Sequence, residues 1–272
     1  MRKLIIALLA LWILPLAAQN LDTAIRELTQ DIKGQVVSPA TTSELQNLFK
    51  DATIAKVPRI FVDKLPPDFA TNGSPELYMH IITALILRSN EQALKEKMLL
   101  LAMKNKYEKN ESWSETEENF FNALVEKYDV VITKTRQTQL DQLTLKIGEI
   151  VPGLAVAQSV YATDWGTKNM NHPYGQMGWI DEKTYTELPY DSLIQATEAY
   201  FKDMNSTNSY WMWHTRRLSS AYRRQSSRLA YNLAGSLDSY RPEDPLYTTT
   251  LQQILLNNQP LSKLYQATFI EE

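Results

Sequence analysis

The sequence predicts a mainly α fold with a small β component. Three observations predict it. Apolar residues recur at helical spacing along Leu77, Met79, Ile82, Leu85, Ile86 and Leu87 and again along Leu94, Met98, Leu99 and Met103. Ser114-Glu115-Thr116-Glu117 is a capping-box pattern that opens a further helix with Phe120, Phe121, Leu124, Val125 and Tyr128. Extended segments are short: one at Val57 to Val62, held out of helix by Pro58 and followed by Leu65-Pro66-Pro67, and a turn-rich stretch from Trp179 to Tyr190 that suits a short hairpin.

Composition sets outer limits. The 272 residues are 44% hydrophobic and 22% charged, which suits one or two domains with a buried core and excludes a collagen-like or disordered chain. The net charge of −3 argues against a nucleic-acid binder. With no cysteine, disulfides, thiolate nucleophiles, lipobox anchors and cysteine-held metals are excluded. His80, His172 and His214 are too scattered for a metal motif, and the sequence calls for no metal and no cofactor. It contains neither a G-x-S-x-G elbow nor a glycine-rich phosphate loop.

Arg2-Lys3, the apolar run Leu4 to Leu16 and Ala17-Ala18-Gln19 have the three parts of a secretory signal peptide, residues 1–18. The run is short of the roughly 20 residues a membrane span needs, and an uncleaved anchor is the alternative. The expected location is periplasmic or secreted, with the membrane met only in transit. Residues 19–56 read as a polar, partly helical leader, with a helix start at Thr42-Ser43-Glu44 ahead of Leu45, Leu48 and Phe49. Residues 57–138 read as a helical N-terminal region interrupted at Ser89-Asn90. A second domain is expected over 139–258 and a tail over 259–272. Tyrosine is sparse before the boundary and dense after it. Aromatics with polar tips suit a partly wet groove, or else pack under a small lobe.

In the second domain, Ile150-Val151-Pro152-Gly153 breaks the chain and Leu154 to Tyr161 reads as a buried helix of small and branched residues. It ends at Thr163-Asp164-Trp165-Gly166-Thr167, with Gly166 in the C-cap role. After the hairpin stretch a helix carries Leu193, Ala196, Ala199, Tyr200 and Met204. Leu154-Ala155-Val156-Ala157-Gln158-Ser159-Val160-Tyr161-Ala162-Thr163-Asp164-Trp165-Gly166 resembles the L-A-L-A-Q-A-x-x-E-S-G-W-G helix of the bacterial glucosaminidase domain of peptidoglycan hydrolases, in particular of Bax-like proteins. Asn171-His172-Pro173-Tyr174-Gly175 is similar to the family's N-N-L-F-G. Ser192-Leu193 to Ala199-Tyr200, then Asn205 to Tyr210, and then Tyr240 through Tyr247 are similar to its later motifs. Pro58-Arg59-Ile60-Phe61, Leu65-Pro66-Pro67 and a helix ending at Ser89-Asn90-Glu91 match its upstream region, so the resemblance covers residues 55–255.

The resemblance implies a lysozyme-like domain with a short β-hairpin lobe. It also implies that the family's general acid, a glutamate, is absent: its position is Ala162, with Gln158 and Trp165-Gly166 holding the register. A positioned acid supplies about 10²–10⁴-fold, and alanine has no proton to give. Asp164, Asp181 and Glu182 are the candidate substitutes, though Asp164 lies roughly 200° around a helix from position 162. Pro173 lacks the backbone N–H that the family's leucine offers. Trp165, Tyr174 and Tyr240 are the expected glycan-binding residues.

Arg216, Arg217, Arg223, Arg224 and Arg228 follow Trp211-Met212-Trp213, with Arg217, Arg224 and Arg228 on one helical face. They suit carboxylates or anionic headgroups, or form a solvated, ion-paired face. One of Trp211 and Trp213 is expected to pack and the other to line a groove. The reading that follows is an exported, catalytically degenerate glucosaminidase-family protein that binds peptidoglycan glycan strands or scaffolds a cell-wall protein. The alternatives are an active N-acetylglucosaminidase with a moved acid, Asp164 first, and a protein-interaction module without glycan binding.

Overall fold

The computed structural model describes residues 21–28, 33–132, 134–175, 179–180, 187–207, 210–220 and 227–271. The signal-like segment lies outside them. The chain opens with α1 (Leu21–Leu28), β1 (Gln35–Val37), α2 (Thr42–Leu48), β2 (Lys56–Val57), β3 (Ile60–Val62) and α3 (Phe69–Asn72). There follow α4 (Pro75–Glu108), α5 (Glu115–Lys127), α6 (Arg136–Lys146) and α7 (Pro152–Thr163). The remainder is β4 (Trp179–Ile180), β5 (Glu187–Leu188), α8 (Leu193–Ser206), α9 (Trp211–Ser220), α10 (Leu229–Ala234), α11 (Tyr247–Asn257), α12 (Gln259–Lys263) and β6 (Thr268–Phe269). The fold is mainly helical. No described helix is long and apolar enough to cross a membrane.

The described strands form three two-stranded pairs. β1 runs parallel to β3, with Val36 opposite Phe61. β2 runs parallel to β6, with Val57 opposite Phe269. β4 and β5 pair antiparallel within the stretch read as a hairpin. The segment read as a tail therefore carries a helix and a strand, and buried Phe269 meets Phe61 edge-on at 6.0 Å.

The chain divides into two compact units at 90/91 and 149/150. These points differ from the boundary read at 138/139. In the unit holding 91–149, Ile25 and Leu28 of α1 bury against Leu99, with Phe120 packed on them. The capping box at Ser114 is complete: its hydroxyl accepts from Glu117 N–H and the Glu117 carboxylate accepts from Ser114 N–H. Buried Glu96 accepts from Lys127 Nζ at 2.7 Å and from Tyr128 Oη at 2.5 Å. Buried Lys146 donates to the carbonyls of Tyr128 and Asp129 just past α5, where the helix dipole favours a cation.

In the other unit the expected interruption at Ser89-Asn90 does not occur. The helix runs on because the Asn90 carboxamide does not compete for its own backbone. It donates to Ile150 O at 2.9 Å and accepts from Ile150 N–H at 2.7 Å, so it anchors the approach to α7. Pro152 stands in the first turn of α7, where its missing N–H costs nothing. α10, α11 and α12 pack on that helix. A Cβ on Gly153 would stand 2.2 Å from Leu261 O, so only glycine permits the close approach of α12.

Gly153→Ala is expected to cost about 1–3 kcal/mol, the usual range for overpacking. Gly235→Ala, whose Cβ meets first the flexible end of Gln252 at 3.2 Å, is expected to stay within about 1 kcal/mol of the parent. Urea unfolding of the two variants beside the parent chain checks both.

Candidate functional site

α7 is buried from Pro152 to Val160 and again at Thr163. Its polar side chains therefore have no water to turn to and must be satisfied inside. Gln158 is fully buried. It accepts from Tyr200 Oη at 2.6 Å and donates through Nε2 to Tyr247 Oη at 2.9 Å. At the next residue and one turn beyond it, Tyr78 Oη lies 2.6 Å from Ser159 Oγ and 2.9 Å from Thr163 Oγ1. Thr163 commits its proton to Ser159 O at 2.7 Å. It therefore accepts from Tyr78, and Tyr78 accepts from Ser159.

Around this pair of bridges the tyrosines stack. Tyr174 lies on Tyr200 at 4.3 Å and 12°, and Tyr240 on Tyr247 at 5.6 Å and 14°. Tyr210 tilts against Tyr240 at 5.8 Å, and Tyr161 meets Tyr247 edge-on at 5.1 Å. Tyr240 Oη donates to Tyr174 O at 3.1 Å, and Tyr174 Oη lies 2.9 Å from Thr197 Oγ1. Burial pushes the Tyr78 phenol up to about 12 and holds those of Tyr174, Tyr200, Tyr210, Tyr240 and Tyr247 well above the ordinary value.

The site residues read from the sequence divide accordingly. Tyr174 is 1% exposed and Tyr240 9%, so their rings are core and are not presented to a ligand. Trp165 is half-buried and lines an open cleft of about 310 Å³ with Glu76, Met79 and Leu261. Ala162, where the resemblance puts the acid, is half-buried near the end of α7, and its carbonyl accepts from Asn169 Nδ2 at 3.2 Å. Asp164 is 64% exposed and faces Lys168 Nζ at 3.6 Å. A general acid working near neutrality needs apolar burial or a like charge, and Asp164 stands instead in water beside an ammonium. Asp181 and Glu182 lie outside the described residues. His172 packs edge-on against Tyr190 at 6.2 Å, and Pro173 is buried.

The turn after α7 departs from the expected glycine cap. Asp164, Trp165 and Gly166 are all left-handed, with φ of 50°, 61° and 80°. Gly166 N–H donates to Thr163 Oγ1 at 3.1 Å, and a Cβ on Gly166 would strike the Tyr78 ring at 2.6 Å. For a bulky tryptophan this backbone is a true outlier, with a cost of order 1–3 kcal/mol.

The arginine reading needs correction. Arg217 is 8% exposed and donates to buried Asn205 Oδ1 at 2.5 Å, with its guanidinium 5.4 Å from the Trp213 ring. It is a core group and not part of a solvent face. Arg216 donates to Gly235 O at 3.0 Å. Arg228 lies exposed beyond α9, ahead of α10, while Arg223 and Arg224 lie outside the described residues. Trp213 packs in the core, and the side chain of Trp211 lies outside what is described.

Sequence reasoning missed Asp203. Half-buried on α8, it accepts from Thr207 Oγ1 at 2.8 Å and lies 3.4 Å from Tyr210 Oη. Burial raises its carboxyl above the ordinary range against the opposing pull of those hydroxyls. The available signal was an acid placed one turn after Tyr200. Among the described residues, no group of three His, Asp or Glu is placed to hold a metal ion.

No protein-family model, curated protein or solved structure matches this chain.

The raised phenols predict a steep alkaline transition. A phenol whose folded value is raised contributes its full stability below about pH 10, and that contribution is lost as pH rises from there through the folded value. Each buried tyrosine loses about 1.4 kcal/mol per pH unit in that window. Tyrosinate absorbance and far-UV circular dichroism, followed together from pH 9 to 12.5, are expected to change as one transition. Phenols that ionise well before the helices melt would contradict the buried cluster.

Proposed function

We propose that the chain is an exported, catalytically degenerate member of the bacterial glucosaminidase family, with a lysozyme-like domain that binds peptidoglycan glycan strands without cutting them. One observation supports this reading above the others. The quoted motifs are scattered along the second half of the sequence, yet one residue from each meets in a single cluster: Gln158, Tyr174, Tyr200, Tyr210 and the Tyr240–Tyr247 pair.

The loss of chemistry follows from the side chains. Position 162 carries a methyl group, and the nearest substitute in sequence, Asp164, is solvated and ion-paired. Protonation of a departing glycosidic oxygen needs an acid held at the bond. What is left is a scaffold able to hold a glycan or to present a surface to a genuine hydrolase.

Incubation of the purified chain with isolated sacculi, with released muropeptides measured against a no-protein blank, tests the proposal. The native chain is expected to pellet with sacculi and to release nothing above the blank. Ala162→Glu is expected to bring release above the blank, since a positioned acid is worth about 10²–10⁴-fold. Release by the native chain overturns the degenerate reading, and its loss in Asp164→Asn or Asp203→Asn would name the acid. Failure to pellet overturns glycan binding.

A further inference from the structure

We propose that the cleft beside Trp165 is a binding site for an organic cation: an ammonium or guanidinium group carried on an apolar stem, as in a lysine or arginine side chain. The inference does not rest on the glucosaminidase reading, which expects Trp165 to meet a glycan; it is argued from the lining of the cleft.

The lining specifies the ligand. The Trp165 indole and the pyrrolidine rings of Pro75 and Pro260 form flat apolar walls, and Ile54, Met79 and Leu261 complete the apolar lining. Such walls take an alkyl stem. Two polar groups stand among them, the Glu76 carboxylate and the Asn258 carboxamide. Asn258 spends one Nδ2 N–H on Ile254 O at 2.8 Å and keeps its oxygen as an acceptor. Both groups can accept hydrogen bonds, and the Glu76 carboxylate is an anion that can only accept. A ligand suited to them donates and is positively charged.

Nearby charge agrees. His80, one turn on from Glu76, is 4% exposed and burial pulls its imidazole below the ordinary value. That burial favours the neutral imidazole, against the opposing pull of the Glu76 carboxylate. An indole is the best aromatic partner for a cation. The volume of about 310 Å³ stands at the lower end of the range of small-molecule sites, about 300–1,000 Å³, which suits one side chain. The strained backbone adds a second, separate observation. Three successive left-handed residues hold Trp165 at this cleft, and strain of this kind gathers at functional sites.

Titration of the ¹⁵N-labelled chain with N-acetyl-lysine methylamide and N-acetyl-arginine methylamide tests the proposal, with the Trp165 indole N–H signal as the reporter, assigned by its absence in Trp165→Phe. Neutral N-acetyl-norleucine methylamide and N-acetylglucosamine serve as comparison probes. The cationic probes are expected to shift the Trp165 signal saturably. Glu76→Gln is expected to weaken them about threefold to tenfold. Glu76 is exposed, so its conservative variant keeps the fold, and circular dichroism verifies this. Equal binding of norleucine methylamide or N-acetylglucosamine, undiminished cation binding in Glu76→Gln, or no shift of the Trp165 signal by either cationic probe each overturns the proposal.

Discussion

The buried carboxamide of Gln158 is the constraint on which the unit around α7 depends. A helix with scarcely any solvent side must satisfy every polar side chain from its neighbours. An orphaned carboxamide there costs about 1–3 kcal/mol. Tyr200 from α8 and Tyr247 from α11 reach it from two directions, one donating and one accepting. Tyr78 from α4 serves Ser159 and Thr163 in the same way. Tyrosine suits the task because its ring fills the core while its hydroxyl arrives at the end of a rigid lever. Moving any of these helices by an ångström would break a bond with no replacement in reach, so the polar bridges set the register of the packing as well as part of its energy.

The same bridges take the tyrosines out of circulation as ligand contacts. A phenol already bonded to Gln158 or to a backbone carbonyl, and stacked on a second ring, cannot also meet a sugar. The aromatic richness of the second half of the chain is mostly structural. Trp165 stands instead at a cleft, and the backbone around it explains why. The chain leaves α7 through three left-handed residues, anchored by Thr163 and by the contact of Gly166 with the Tyr78 ring. The core fixes Gly166, and the strain falls on the residue before it, which is left at the surface.

Carboxylates follow an equally physical division. Glu96 and Glu117 are buried, each with a lysine within 2.7 Å, so their charge is compensated and structural. Asp244 accepts from the Tyr161 hydroxyl, which holds the carboxyl low and pushes the phenol up. Among the described residues Asp203 is held by hydroxyls, and it is partly dehydrated. Glu76 stands exposed at an apolar cleft. Of these carboxylates, the last two combine accessibility with an environment that a ligand or a proton would change.

The sequence by itself determined the helical class, the capping box at Ser114, the short extended segments and the burial of α7. These rest on interactions within a few residues or on apolar spacing, and local order carries both. It also placed Ala162, Asp164 and Trp165 at the end of that helix. What tertiary structure alone decided is which polar groups would be satisfied by partners far away in the chain. Asn90 continues a helix that it was expected to interrupt, because its carboxamide bonds Ile150 sixty residues on. Arg217 is core because Asn205 and Trp213 receive it. Tyr174 and Tyr240 are closed to solvent because Tyr200 and Tyr247 lie on them. A polar or aromatic residue reads the same in sequence whether its partner is water, a ligand or a distant side chain, and only the fold brings that partner within reach.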